Sequence, residues 1–133
     1  MRSVCPFIIF SGNCREAMEF YRDCFSGTIT TLQTAGESSL DARGEHADRI
    51  FNAVMEANGL QLMASDDQPG QPVAAGSNMS VFVSFSDADD QRSVYDSLVG
   101  GGTVIMELDG TMGGPGFAMV RDRFGVHWML ALR

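Results

Sequence analysis

A chain of 133 residues, 44% of them hydrophobic, can bury a substantial core in one compact domain or in two small modules. Its formal net charge of −8 argues against nucleic acid, whose phosphates call for a basic surface, and is compatible with a cationic ligand. No apolar run reaches the roughly 18 residues of a membrane span. The apolar part of the opening segment is too short for a signal peptide. Cys5, Cys14 and Cys24 are odd in number and have no metal-like spacing, so they read as reduced thiols of a cytoplasmic protein.

Cys5 to Phe10 is apolar and reads as the first strand. Asn13 is placed to cap a helix, with Glu16 three residues on completing a capping box. Ala17, Phe20, Tyr21, Cys24 and Phe25 then form one apolar stripe at helical spacing, and Gly27 is expected to end the helix. Thr28 to Thr34 is a Thr-rich strand, and Ala35 to Asp48 a polar loop. Arg49 to Ala57 and Leu60 to Ser65 are strands joined by Asn58-Gly59, the strongest hairpin signal in the chain. Asp66 to Asn78, with Pro69, Gly70, Pro72 and Gly76, reads as a linker.

The pattern then restarts. Ser80 to Phe85 is a strand, and Asp87 caps a helix whose stripe is Gln91, Val94, Tyr95, Leu98 and Val99. Each stripe residue lies 74 positions after its counterpart, so that Tyr95 answers Tyr21. Gly100 to Gly102 close this helix. Thr103 to Leu108 and Phe117 to Asp122 are strands, and the turn at Phe124-Gly125 leads into the last strand, Val126 to Leu132. From the hairpin onward the offset is 66. Asp66 and Asp122 read as capping residues at equivalent turns. The order βαβββ thus occurs twice, an internal duplication. The expected fold is α+β: two modules forming a curved eight-stranded mixed sheet with helices outside and a trough inside. The expected division is a single domain over 1–133, with module one at 1–66, a linker at 67–78 and module two at 79–133.

Three stretches together carry a family resemblance: Pro6 to Tyr21 (PFIIFSGNCREAMEFY), Leu62 to Asp66 (LMASD) and Asp122 to Trp128 (DRFGVHW). With the paired βαβββ modules, they resemble the vicinal oxygen chelate superfamily, the glyoxalase/bleomycin-resistance fold. Within it they resemble the PhnB-like branch, often labelled 3-demethylubiquinone-9 3-methyltransferase. The resemblance implies cytoplasmic homodimers. In catalytic members it also implies a divalent metal held from the first and last strands of each module. Here those positions fall at Pro6, Met63, Ser80 and Met129, where relatives typically carry Glu at the position of Met129. Asn52 stands where this branch commonly has a His on the third strand. Pro, Ser and two Met do not make a hard-cation site, so no metal and no cofactor are expected.

Alternation assigns Pro6, Ile8 and Phe10 to the trough from the first strand, and Asn52, Val54, Gln61, Met63 and Ser65 from the third and fourth. Ser80, Phe82, Ser84, His127 and Met129 line it from the second module. The residues expected to contact a ligand are Phe10, Asn52, Met63, Ser80, Phe82, His127 and Met129. A wall of this make-up suits a small organic molecule, apolar or cationic. No strand–Gly-rich loop–helix context for a Rossmann-type methyltransferase is present. No nucleophile elbow is present either, and Cys24 faces the core. The leading expectation is a metal-independent dimeric binding or sequestering protein of bacterial type, with catalytic residues unassigned. A second is a superfamily lyase, isomerase or dioxygenase with an atypical metal site drawn from His127, Glu56 and His46. A third is a ligand-free dimeric interaction module.

Overall fold

The computed structural model describes residues 2–37, 47–67, 70 and 72–133; His46 lies outside them. The chain divides into two compact units, Met1–Ala74 and Ala75–Arg133. The first holds β1 (Phe7–Phe10), α1 (Cys14–Phe25), β2 (Thr28–Thr34), β3 (Ile50–Ala57) and β4 (Leu60–Asp66). The second holds β5 (Val81–Phe85), α2 (Ala88–Leu98), β6 (Thr103–Met106), β7 (Phe117–Arg121) and β8 (His127–Leu132). The duplicated βαβββ order read from the sequence is therefore present. No described helix is long and apolar enough to cross a membrane.

The eight strands form two separate four-stranded mixed sheets, ordered β1-β4-β3-β2 and β5-β8-β7-β6, rather than one sheet of eight. Each module lays its first strand parallel to its own last strand, so each ladder is completed within its module. The remaining pairs are antiparallel. One face of each sheet carries the helix: α1 packs on β2, β3 and β4, and α2 on β5, β7 and β8. The core lies between them. Tyr21, Met18 and Cys14 of α1 are buried, as are Met55, Leu62 and Ala64 of the sheet beneath it, and in the second unit Leu98, Val94 and Tyr95 of α2 are buried along with Trp128, Leu130 and Val120. Burying a side chain of this size stabilises by about 2–3 kcal/mol. In α1 the buried stripe is Cys14, Ala17, Met18, Tyr21 and Cys24, with Phe20 and Phe25 only half-buried.

The alternation of β1 is one residue out from the sequence reading. Phe10 is 4% exposed and its ring lies 6.4 Å from that of Tyr21, so it faces α1 and not the open side of the sheet. Phe7 and Ile9 take the open side, opposite Met63 and Ser65. The cause is a loop-length difference. Three residues (Ser11, Gly12, Asn13) separate β1 from α1, but only two (Ser86, Asp87) separate β5 from α2. The helices keep an offset of 74 while the strands move to 75, which aligns Phe10 with Phe85; both are buried.

The two helices also start differently. Asp87 accepts hydrogen bonds from the backbone N–H of Asp89 (2.7 Å) and Asp90 (3.2 Å), as its sequence context promises. Asn13 makes no side-chain cap, contrary to the capping-box expectation. Its role passes to Asp66 at the end of β4. One carboxylate oxygen of Asp66 accepts from Gly12 and Cys14 N–H, both at 2.9 Å, and the other from Ile50 N–H at 2.8 Å. Asp66 is therefore not the counterpart of Asp122. Asp122 sits in the β7–β8 turn, where it accepts from Phe124 and Val126 N–H and from Trp128 Nε1 at 2.8 Å. Gly27 does not supply the left-handed residue that closes α1, because Ser26 does so at φ 53°. Gly27 is needed for close approach: a Cβ there would stand 2.6 Å from Met55 Sδ and 2.8 Å from the Glu56 carbonyl oxygen. Gly102 repeats the device, where a Cβ would collide with the Arg121 carbonyl oxygen and Asp122.

Candidate functional site

The faces turned away from the helices are where ligand chemistry can sit, because the helix-facing sides are filled. In the first unit, register places Phe7, Met63, Val54 and Thr31 in one row across all four strands. Ile9 and Ser65 flank it on one side, and Gln61 and Glu56 on the other. Phe7 and Ile9 are 50% and 47% exposed, so this side is apolar and uncovered within the unit. Asn52, opposite Gln33, adds an amide. Glu56 and Gln61 hold each other at 3.3 Å, beside a shallow depression of about 650 Å³ next to the Asn58-Gly59 turn. Asn52 and Met63 do not line that depression.

In the second unit the equivalent row is Phe82, Met129, Met119 and Met106. Sequence reading identified Phe82 and Met129 but missed Met119 and Met106, which stand on strands left out of the lining. Extending the alternation to those two strands would have found Met119; Met106 follows a register shift in β6, which only the fold shows. Next to this row, His127 lies opposite Arg121, and Arg121 opposite Thr103. Ser84 and Ala131 stand beside each other on the other side. At the end of β8 the Arg133 guanidinium carbon lies 5.2 Å from the centroid of the Phe82 ring, a cation–π contact. Of the expected second-module residues, Phe82, His127 and Met129 thus share one face. Ser80 precedes β5 and is exposed.

The metal positions that the resemblance implies, Pro6, Met63, Ser80 and Met129, offer one hydroxyl and two thioethers and do not suit a hard divalent ion. The open-face neighbours across the two parallel pairs are Phe7 with Met63 and Phe82 with Met129. Phenyl groups and thioethers offer no hard oxygen or nitrogen donor. Among the described residues, no three His, Cys, Asp or Glu side chains stand together to hold a metal ion. The carboxylates that sequence reading weighed are otherwise engaged: Asp66 and Asp122 are buried and hydrogen-bonded to backbone N–H groups. Burial pushes the Cys14 thiol up to about 12, helped by the neighbouring Asp66 charge, which leaves it protonated and inert.

The chain matches the 3-demethylubiquinone-9 3-methyltransferase family over residues 2–131. It is 24% identical to protein YjdN of Escherichia coli over 135 residues, covering 94% of this chain and 91% of that one. The crystal structure of protein PA1353 from Pseudomonas aeruginosa superposes with a TM-score of 0.88 at 31% identity, covering 100% of this chain and 98% of that one. A PhnB protein of Bacillus cereus gives 0.79 at 22% identity, with 99% and 100% covered. The chain belongs to the 3-demethylubiquinone-9 3-methyltransferase family, the PhnB-like branch of the vicinal oxygen chelate superfamily.

Proposed function

We propose that this protein binds a small, largely apolar organic molecule as a metal-independent, cytoplasmic homodimer of the glyoxalase/bleomycin-resistance type. The observation that carries the reading is the make-up of the two open sheet faces. Each has a Phe–Met pair in register across its parallel strands, where a metal site would need oxygen or nitrogen donors. Thioethers and rings adapt to an apolar ligand body. Asn52, Met63, Ser80, Phe82, His127 and Met129 are the proposed contacts, joined by Phe7 and Met119. Phe10 is set aside because it packs against α1. The proposed division keeps module boundaries at 66 and 79, with 67–78 as the connecting segment. Methyl transfer from a nucleotide cofactor finds no support in the glycines: Gly100 to Gly102 follow α2 and do not precede a helix.

Native mass spectrometry of the purified protein tests this. A dimer mass without metal, carrying a co-purified organic adduct, supports binding and begins to name the ligand. One divalent ion per chain overturns it in favour of a metal-dependent lyase, isomerase or dioxygenase. A dimer with no adduct, indifferent to a panel of apolar small molecules, also overturns it and leaves a ligand-free interaction module.

A further inference from the structure

The charges of the second unit are sorted by face. Residues 75–133 contain seven Asp or Glu and four Arg, so the unit is acidic as a whole. None of the seven acids stands at a ladder position of the open face. Four belong to α2 and its cap, Glu107 and Asp109 follow β6, and Asp122 is buried on the helix side. The open face instead carries Arg121, His127 and Arg133. Among the described residues Arg121 and His127 make no ion pair and no side-chain hydrogen bond, while Arg92 pairs with Asp109 and Arg123 donates to the Gly100 carbonyl. Basic side chains gathered on one face of a chain with net charge −8 mark the sign of what that face receives.

We infer that the open face of the second unit takes an amphipathic organic anion: a flat apolar body over Phe82, Met129, Met119 and Met106, with its acidic group held by Arg121 and His127. This rests on the binding reading above and reverses the cationic ligand that overall charge suggests. Successive rows on one face of a sheet are about 7 Å apart, so a fused aromatic body lying along one row can carry an acidic group on its edge within reach of the long Arg121 side chain of the next. Arg121 supplies a planar fork of donors suited to a carboxylate or sulfonate, and Thr103 beside it adds a hydroxyl. Thioethers contact aromatic faces and edges favourably. Arg133 over Phe82 closes the far end of the row with a second cation.

A matched pair of fluorescent probes tests the claim: 1-anilinonaphthalene-8-sulfonate and N-phenyl-1-naphthylamine, the same body without the sulfonate. The full chain should bind the sulfonate about tenfold more tightly, an advantage that shrinks as salt is raised. Arg121→Gln should abolish most of that advantage while leaving the neutral probe's affinity unchanged, which also shows that the variant is folded. Met129→Glu should weaken both probes. Equal affinity for the two probes, or an Arg121→Gln variant that still prefers the sulfonate, would overturn the inference while leaving the binding reading intact. Failure of both probes to bind, as when a second copy of the chain covers this face, would overturn both.

Discussion

The two modules descend from one pattern, yet they secure their helices by different means. In the second, Asp87 caps α2 from the residue directly before it, a local bond that any reader of the sequence can anticipate. In the first, the cap comes from Asp66, more than fifty residues away, which also holds the start of β3. The added residue between β1 and α1 moves Asn13 out of capping geometry, and a long-range carboxylate takes over. The second module has its own buried carboxylate, Asp122, but spends it on a turn and on Trp128. Similar sheets and helices therefore rest on polar anchors in different places. A local cap can be lost with little consequence, whereas an anchor joining three segments cannot.

The sharpest way to break this comparison is to remove both caps. Asp66→Ala strands three buried or half-buried N–H groups and should cost about 4 kcal/mol in urea unfolding. Asp87→Ala should cost about 1 kcal/mol, and Asn13→Ala less than about 0.5 kcal/mol, as expected for a cap that is not made. Equal losses for Asp66→Ala and Asp87→Ala would show that the anchors are interchangeable after all.

The glycines after the helices sharpen the comparison further. At Gly102 an added methyl meets backbone, and at Gly27 its nearest neighbour is the flexible end of Met55. Gly102→Ala should cost about 3 kcal/mol and Gly27→Ala about 2 kcal/mol by thermal unfolding, both through overpacking. A larger loss at Gly27 would place the tighter helix–sheet approach in the first module.

A smaller effect than those of the glycines concerns pH. Cys14 opens α1 where Ala88 opens α2. Its thiol is raised from 9.0 to about 12 by burial and by Asp66. The unfolded chain therefore loses this proton first, so the stabilisation is complete below pH 9 and drains away as pH rises toward 12. By linkage the wild type should lose about 1 kcal/mol at pH 10 that a Cys14→Ala variant keeps. Parallel stability curves for the two proteins between pH 8 and 10.5 would remove Cys14 from the account.

Much of the fold was legible because it is written in short-range pattern. Tyr21 and Tyr95 mark the helices, Asn58-Gly59 marks the hairpin, and the alternation of His127, Trp128, Met129 and Leu130 divides β8 correctly into two faces. Of the proposed contacts, Met63, Phe82 and Met129 stand on open faces as alternation implies, whereas Phe10 does not. The face of β1 depended on one residue of loop length, and in a strand a shift of one exchanges every side chain between faces.

By itself, the sequence determined the duplicated βαβββ order and the apolar face of each helix. These follow from residue types and from periods of 2 and 3.6, which act over a few neighbours. Only the tertiary structure decided that the strands form two sheets, that Asp66 rather than Asn13 caps α1, that Met106 and Met119 complete a row with Phe82 and Met129, and that Arg121 and His127 stand together beside that row. Each of these depends on strand register and on contacts between segments far apart in the chain. Such contacts leave no local trace in the order of residues.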